Sequence, residues 1–213
     1  MPGPVAALYD IHGNLAALEA VLAEVPDDAT IVVGGDVVAG GPQPSETLER
    51  LRGLGDRVRW LRGNADRELD PNEPGLAPPG AIEETRARLT EEQIAFLLGN
   101  PPTVRLGRVL YCHATPRNDV DIFTVETPEE RVVEIFADVD ADVVVCGHTH
   151  MQFDRTIGGT RVVNAGSVGM PYEDEPGAYW LLDLEHRRTP YDGEPPSQAT
   201  HEEALRLFTE RGL

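Results

Sequence analysis

Residues 5–14, VAALYDIHGN, join an apolar run to a cluster of polar side chains. The run Val5–Tyr9 has the length and composition of a buried strand, and Leu15–Val25 after the cluster has the apolar periodicity of a helix. Asp10 and His12 lie in the turn between them. The stretch therefore predicts a strand, a polar turn and a helix, which is the repeating unit of an α/β fold.

The same alternation continues along the first half of the chain. Thr30–Val33 and Val58–Leu61 are further short apolar runs, and Ser45–Leu54 between them has helical periodicity. In the second half, pairs of short runs surround Gly107 and Gly158–Gly159, as is typical of hairpins. A mixed sheet, or two sheets stacked face to face with helices outside, fits this pattern better than a purely parallel sheet.

Local signals predict three more helices and one long loop. The sequences that begin at Thr90 and Thr127 match the capping box, the second with Pro128 at the first helical position. The sequence of Glu202–Arg211 predicts a terminal helix. Asp70–Gly80 contains four prolines and no apolar periodicity, so we expect an irregular loop there, and a lid over a pocket is one role for it.

Length and charge limit the classes of protein and partner. The 213 residues are 40% hydrophobic, which is enough for one sizeable core, and we expect a single domain over residues 1–213. There are 37 acids against 18 bases, all of them arginine, for a formal net charge of −19. Such a surface repels long nucleic acids and anionic membranes, whereas a small phosphate ester and a homo-oligomer remain compatible with it.

Apolar stretches and cysteines point to an intracellular protein. No stretch approaches the roughly 18 apolar residues of a membrane helix, and the early polar cluster at Asp10 leaves no room for a signal peptide. We therefore expect a cytoplasmic location. Cys112 and Cys146 each end an apolar run, so we interpret them as small buried hydrophobes rather than metal ligands or a disulfide.

Five polar clusters follow five of the predicted strands. A lone histidine at a strand end is usually a partly buried residue with satisfied hydrogen bonds, and a lone Gly-Asp pair is usually a turn. In open α/β sheets, however, ligands bind beyond the carboxyl ends of the strands, so all five clusters can converge on one pocket. The candidate residues in these clusters are Asp10, His12, Asp36, Asn64, His113, His148 and His150.

These residue types are suited to divalent metal ions. A carboxylate such as Asp36 can bridge two cations roughly 3.5–4 Å apart, while terminal imidazole, carboxylate and amide ligands leave positions for water and substrate. Mixed nitrogen and oxygen ligands suit Mn²⁺, Fe or Zn²⁺ better than Mg²⁺ alone, and Ni²⁺ is also compatible. The pattern thus predicts two divalent metal ions, with Mn²⁺ preferred.

The ordered series of motifs resembles that of the calcineurin-like metallophosphoesterase family, and in size the chain is similar to the small YfcE-like phosphodiesterases. The resemblance implies a four-layer αββα sandwich of two mixed β-sheets flanked by helices. It also implies hydrolysis of small phosphodiesters or activated phosphomonoesters by a metal-bridging hydroxide. The implied metal sites are formed by Asp10, His12 and His150 and by Asn64, His113 and His148, with Asp36 bridging. The implied catalytic residues are Asp36, Asn64 and His12.

One position departs from the pattern of many family members. In those members the asparagine equivalent to Asn64 is followed by a histidine thought to protonate the leaving group or bind the phosphate. This chain has Ala65 at that position, and it resembles the small YfcE-like members in lacking the histidine. Poor leaving groups should then be cleaved slowly. The departure disfavours a protein phosphatase or dinucleoside polyphosphatase. A non-catalytic scaffold of the same fold is the other alternative, and the complete set of seven ligands argues against it.

Substrate-binding candidates follow from the need for donors to phosphate oxygens. Arg67 and Arg117 lie nearest the motifs, with pairing to surface acids as the alternative interpretation. Asn14 is a third candidate, and capping of the following helix is its alternative role. Asn164–Ser167 follows another apolar run and either borders the pocket or forms a plain turn.

Overall fold

The computed structural model describes residues 3–73, 75–77, 80–193 and 199–213. In these ranges the strands are β1 (Val5–Leu8), β2 (Thr30–Val33), β3 (Val58–Trp60), β4 (Thr103–Leu106), β5 (Val109–Cys112), β6 (Val143–Cys146), β7 (Gln152–Ile157), β8 (Thr160–Ala165), β9 (Ala178–Leu182) and β10 (Glu185–Thr189). The helices are α1 (Leu15–Glu24), α2 (Pro44–Arg52), α3 (Asn64–Arg67), α4 (Ala81–Arg86), α5 (Glu91–Leu98), α6 (Glu129–Phe136) and α7 (His201–Arg211), and Gly55–Arg57 forms a short 3₁₀ turn.

Both sheets have five strands and both are mixed. The first has the order β10-β9-β1-β2-β3, in which β1, β2 and β3 are parallel, β9 is antiparallel to β1, and β10 is antiparallel to β9. The second has the order β4-β5-β6-β8-β7, with β5, β6 and β8 parallel between antiparallel edge strands. The expectation of two mixed sheets rather than one parallel sheet is confirmed.

The two sheets stack face to face with helices outside. Along β1, Ala6 and Leu8 pack toward the helices, whereas Ala7 and Tyr9 belong to a separate core between the sheets. This division follows from the alternation of side chains along a strand. Helices α1, α2 and α5 cover the first sheet, and Val132 of α6 packs on the second. The predicted αββα arrangement is therefore confirmed.

The two predicted capping boxes have different outcomes. Thr90 Oγ1 accepts a hydrogen bond from Gln93 N at 3.2 Å, and Thr90 N donates to Gln93 Oε1 at 3.0 Å, so the first box is confirmed. The second is wrong, although its helix forms. Thr127 Oγ1 accepts instead from Thr124 N at 2.9 Å, and Pro128 becomes the residue before the helix. A competing local turn has taken the hydroxyl that the cap would need.

The segment between α3 and α5 is mostly irregular, as its prolines predict. The described parts of Asp70–Gly80 form turns and bends, and positions 74, 78 and 79 lie outside the described residues. Helix α4 was not expected from the sequence because its six residues contain too few apolar positions to show periodicity. Among the described residues, no helix has the length and apolar character needed to cross a bilayer.

A hydrogen bond across the central core offers a test of the sandwich. Tyr9 is fully buried, and its hydroxyl donates to the carbonyl oxygen of Val145 in the other sheet at 3.2 Å. Tyr9→Phe should lower the free energy of unfolding by about 1 kcal/mol, because the ring stays and only the hydrogen bond is lost. Denaturant unfolding measures the change.

Tyr111→Phe is the matched control for this variant. Tyr111 lies in the same central core, and its hydroxyl has no hydrogen-bond partner among the described residues. Its substitution should change the free energy of unfolding less than Tyr9→Phe does. Equal effects of the two variants would contradict a bond that joins the sheets.

Candidate metal centre

The seven ligand candidates lie together where parallel strands of both sheets end. Asp10 and His12 follow β1, Asp36 follows β2 and Asn64 opens α3 after β3. His113 follows β5, and the remaining two histidines follow β6. Two groups have ligand atoms all within 4.8 Å of one another, namely Asp10, His12 and His150, and Asp36, His113 and His148.

Distances within the centre link the two groups. Asp10 Oδ1 lies 3.4 Å from His150 Nε2 and 3.9 Å from His113 Nε2, so this oxygen faces both groups. Asp36 Oδ2 is 3.5 Å from His113 Nε2, and Asn64 Oδ1 is 3.1 Å from the same nitrogen. Asn64 thus joins the second group, as the resemblance implied, while the bridging role of Asp36 stays a prediction.

Most of these residues occupy a strained backbone conformation. Five of the seven have positive φ angles, at Asp10 (53°), His12 (50°), Asp36 (52°), His148 (67°) and His150 (58°). A side chain other than glycine in this left-handed region costs about 1–3 kcal/mol, and such residues cluster at functional sites. The conformation turns each side chain out of its strand direction and toward a common point.

Backbone carbonyls orient three of the imidazoles. The Nδ1 atoms of His12, His113 and His150 lie 2.6, 2.9 and 2.7 Å from the carbonyl oxygens of Ala39, Gly34 and Met170. A carbonyl only accepts, so each Nδ1 carries a proton and each Nε2 faces the centre. This second layer fixes ring orientation in histidine metal sites and increases ligand basicity.

Asp66 holds two of the ligand loops together. Its carboxylate accepts hydrogen bonds from the backbone N–H groups of Asp36 at 2.8 Å, Val37 at 3.1 Å and Gly63 at 3.1 Å. Burial, followed by the negative charge of Asp36, raises the pKa of Asp66 to about 7. The sequence analysis missed this residue, although a carboxylate three positions after a glycine at a helix start is a capping signal.

Glycine is required where the loops approach most closely. A Cβ atom at Gly63 would collide with Oδ1 and N of Asp36, and a Cβ at Gly147 would lie 2.5 Å from Asp10 Oδ2. The bare backbone at Gly147 also allows the next N–H, that of His148, to donate to Asp10 Oδ2 at 2.8 Å. Close backbone approach, and not flexibility, is therefore the reason for glycine at these two positions.

Glu68 is a second residue that the sequence analysis missed. It lies one helical turn after Asn64, a spacing that puts the two side chains on the same face of a helix. Asn64 Nδ2 donates to Glu68 Oε1 at 3.0 Å, so Asn64 Oδ1 must face the centre. The buried carboxylate also accepts from Leu76 N at 2.8 Å and Ala77 N at 3.1 Å. Glu68 thus joins a candidate ligand to the loop beside it.

Asn164 and Ser167 support the ligand loops from behind. Asn164 Nδ2 donates to the carbonyl oxygen of Gly147 at 2.7 Å and to Thr149 Oγ1 at 3.1 Å. Ser167 Oγ donates to the carbonyl oxygen of Asp10 at 2.7 Å. The segment Asn164–Ser167 therefore braces the centre rather than forming an isolated turn.

Protons in the centre are shared between buried groups of opposite charge. Burial acts to lower the pKa of His113, but the charge of Asp36 and its hydrogen bond raise it to about 10. Burial lowers the pKa of His148 to about 4, and the positive charge of His113 is the second largest cause. Burial acts to raise the pKa of Asp36, but His113 brings it below its ordinary range. A bound cation would take the place of the proton on His113.

Two buried polar atoms show that the donor set fits divalent metal ions. Asp10 Oδ1 and His148 Nε2 are buried and have no hydrogen-bond partner among the described residues. A buried polar atom left unpaired is costly, and a metal ion bound to it removes that cost. Carboxylate, imidazole and amide oxygen together are the ligands of Mn²⁺, Fe and Zn²⁺ sites.

A cavity of 190 Å³ opens beside the two groups. His12, Asp36 and Asn64, the three implied catalytic residues, all contribute to its wall. Ala65 also lines it, together with Leu76 of the proline-containing loop, a residue that is 55% exposed. The position that holds histidine in many family members therefore faces this cavity.

The three substrate-binding candidates already have protein partners. Asn14 Oδ1 accepts from Ala17 N at 3.1 Å, so the side chain caps α1, and Asn14 Nδ2 donates to the carbonyl oxygen of Gly169 at 3.1 Å. This favours the capping interpretation. Arg67 Nε donates to Asp119 Oδ2 at 2.8 Å, and Arg117 Nε donates to Asp121 Oδ2 at 2.5 Å. Pairing with acids thus describes both arginines, and substrate contact by any of the three stays a prediction.

Comparison with known proteins agrees with this geometry. Residues 4–187 match the model of the calcineurin-like phosphoesterase superfamily domain. The chain belongs to this family and is therefore a phosphoester hydrolase. Phosphodiesterase YfcE of Escherichia coli is 28% identical over 187 residues, which cover 82% of this chain and 84% of that protein.

Two further relatives extend the comparison. A symmetrical bis(5′-nucleosyl)-tetraphosphatase of Pectobacterium carotovorum is 43% identical over 122 residues, which are 52% of this chain and only 43% of that protein. The crystal structure of a metallophosphoesterase from Sphaerobacter thermophilus superposes with a TM-score of 0.75 at 24% identity and covers 89% of each chain. This last likeness bears on the fold alone.

The contact between Glu68 and Asn64 generates a prediction about metal affinity. Glu68→Ala should weaken binding at the second metal site by about 10- to 100-fold, because the Asn64 amide is then free to turn its oxygen away. Glu68→Gln should lose less, since its amide oxygen can still accept from Asn64. Titration with Mn²⁺ followed by calorimetry measures the affinities.

Glu83→Ala, on the exposed face of α4, is the control for removal of one negative charge. Circular dichroism establishes that each variant is folded. Wild-type affinity and stoichiometry in Glu68→Ala would show that this carboxylate does not position Asn64.

Proposed function

We propose that the chain is a two-metal phosphoesterase that hydrolyses small phosphodiesters or activated phosphomonoesters. Mn²⁺ is the preferred ion in this proposal, with Fe, Zn²⁺ and Ni²⁺ as alternatives, because imidazoles and carboxylates contribute together. The observation that carries it is the presence of two three-residue groups, in each of which the ligand atoms lie within 4.8 Å of one another. Oriented imidazoles and the unpaired atoms Asp10 Oδ1 and His148 Nε2 add support.

Metal ions bound there would lower the pKa of an attacking water and neutralise phosphate charge. The protein's own part is to hold ligands in place. Ala65 N donates to Asp36 Oδ1 at 2.8 Å, which leaves Asp36 Oδ2 directed toward the His113 group. Asp36 has a positive φ of 52°, and its Oδ2 lies 3.5 Å from His113 Nε2. These contacts support Asp36 as the bridging ligand.

The size of the cavity supports a small reacting group. Its 190 Å³ is less than the roughly 300–1,000 Å³ of pockets that enclose drug-sized ligands. Such a space accommodates the phosphate and the atoms nearest to it, while the ester groups extend outside. The phosphodiesterase relative from Escherichia coli agrees with this class of substrate.

Two alternatives are less well supported. A non-catalytic scaffold has no need for seven converging ligand candidates, oriented imidazoles or five strained residues, and all of these are present. A dinucleoside polyphosphatase has a relative in its favour, but the similarity covers only 52% of this chain. Ala65 also leaves the cavity without the additional imidazole of many family members.

Four further expectations stay proposals because they rest on composition and charge. They are a single domain over residues 1–213, a cytoplasmic location, the exclusion of long nucleic acids and membranes as partners, and a homo-oligomeric state compatible with this surface. The formal net charge of −19 is the main support for the exclusion of polyanions.

Metal removal and substrate variation test the proposal directly. Chelated protein should be inactive, and Mn²⁺ should restore more activity than Mg²⁺ on a panel of phosphomonoesters, phosphodiesters and cyclic nucleotides. Asp36→Asn should lower the restored activity by more than about 100-fold, because loss of a ligand exceeds the usual cost of losing an outer contact. Full activity with metal absence verified by elemental analysis would exclude the two-metal proposal.

The alanine at position 65 generates a second prediction. If no side chain protonates the leaving group, log kcat/KM should fall steeply as the leaving-group pKa rises, and aryl esters should react much faster than alkyl esters. Ala65→His should raise alkyl-ester turnover by up to about 10²–10⁴-fold, the usual contribution of a general acid, and change aryl esters little. Steady-state rates over a series of leaving groups give the slope.

Metal content must be equal in both proteins, because the new imidazole adjoins Asn64. Ala65→Gln is a control for the larger side chain without a group that titrates near neutrality. A flat dependence in the wild type would mean that another group already donates the proton.

A further inference from the structure

A series of ring contacts connects one metal-ligand candidate to the terminal helix. The ring of His150 stacks on that of Tyr172, with centroids 5.6 Å apart and an angle of 24° between the planes. Tyr172 in turn meets the ring of Phe208, in α7, edge to face at 5.7 Å and 73°. One face of the His150 imidazole is therefore supported by a side chain that rests on α7.

The stack adds to the orientation of His150 that its hydrogen bond provides. The bond from His150 Nδ1 to the carbonyl oxygen of Met170, at 2.7 Å, decides which nitrogen faces the centre, but the ring can still pivot about it. Pivoting would move Nε2 away from Asp10 Oδ1, which lies 3.4 Å from it. A ring packed against the imidazole face opposes this motion, and nearly parallel rings roughly 4.5–7 Å apart also attract each other.

Helix α7 has its own contacts with the rest of the protein at both ends. At its start, His201 Nδ1 donates to the carbonyl oxygen of Tyr172 at 3.2 Å. Near its end, Thr209 Oγ1 lies 2.8 Å from Thr124 Oγ1. Phe208 is thus held between two anchored points of the helix, so its ring can act as a fixed support for the ring of Tyr172.

The terminal helix lies outside the part of the chain that the family model matches. That match ends at residue 187, whereas α7 begins at His201. All seven ligand candidates lie inside the matched part. The ring contacts therefore connect the metal centre of the family domain to a segment that the family model does not include.

We propose that Tyr172 is a positioning residue for His150 and that α7, through Phe208, holds Tyr172 in place. The affinity of the first metal site, to which His150 belongs, then depends on the terminal helix. In the second site the rings of His113 and His148 lie against each other at 5.1 Å, and neither contacts a ring of α7 among the described residues. The inference rests on the proposed two-metal function, because it concerns the ion that the first group would hold.

Calorimetric titration of the metal-free full chain with Mn²⁺ tests the role of Tyr172. Tyr172→Leu should weaken binding at the first site by about 10-fold, the lower end of the usual cost of losing an outer contact, and leave the second site unchanged. Tyr172→Phe keeps the ring and should retain wild-type affinity at both sites. His12→Ala removes a ligand of the first group, so it identifies which measured affinity belongs to that site.

Phe208→Ala tests the contribution of α7 separately. It should weaken the first site by about 3-fold, because Tyr172 loses its support but keeps its own contact with His150. Leu207→Ala is the matched control, since Leu207 is the adjacent residue of the same helix and is also half-buried. It removes a large apolar side chain without removing a ring beside Tyr172, and both affinities should stay unchanged. Circular dichroism and thermal unfolding establish that each metal-free variant is folded.

The outcomes separate this inference from the function on which it rests. No Mn²⁺ binding by the wild type would overturn the two-metal proposal, and this inference with it. Wild-type affinities at both sites in Tyr172→Leu and Phe208→Ala would overturn the positioning role and leave the two-metal proposal intact. Equal weakening of both sites, or equal losses in Leu207→Ala and Phe208→Ala, would assign the effect to a less stable fold and also overturn it. If Tyr172→Leu does not fold, the comparison of Phe208→Ala with Leu207→Ala decides.

Discussion

Burial of like charges at one point is the constraint on which the structure depends. Asp10 and Asp36 are both buried where the two sheets meet, and carboxylates in a low-dielectric interior repel each other unless cations or N–H donors compensate them. Part of the compensation comes from backbone donors at Ala65 and His148. The remainder comes from His113 and its neighbours, in positions that metal ions fit. The positive φ angles of the loops and the hydrogen bonds around them hold the charged groups in these positions.

Strain in the loops is stabilised by contacts from outside them. His12 N donates to the carbonyl oxygen of Asp36 at 2.9 Å, so the two loops with positive φ hold each other. Asp66 adds three backbone contacts, and Ser167 adds one to Asp10. Unfavourable backbone conformations persist only where surrounding structure determines them in this way. These hydrogen bonds therefore hold the ligand loops to one another and to the strands behind them.

The arginines near the metal centre differ in whether they pair with an acid. With 37 acids and 18 arginines, most cationic side chains within reach of an acid are expected to pair with it. Arg67 and Arg117 do so, with Asp119 and Asp121, and substrate contact by either arginine stays a prediction. Arg62 bonds instead to the backbone carbonyl oxygen of Leu98, and no carboxylate among the described residues lies within 4.0 Å of its guanidinium.

The sequence by itself determined the strand order along the chain, the αββα class and the seven ligand candidates. The strand order and the ligand candidates follow from short-range periodicity and from polar residues at strand ends, both of which are local properties, whereas the αββα class is what the resemblance of the ordered motifs to a known family implies. Thr90 shows a local signal that the structure confirms, and Thr127 shows one that fails because its hydroxyl accepts from the backbone N–H of Thr124 instead. Only the tertiary structure decided which groups meet. Asp66 reaches the backbone N–H groups of Asp36 and Val37, and Asp10 Oδ1 lies 3.9 Å from His113 Nε2, because separate elements pack together, and no local pattern encodes such distances.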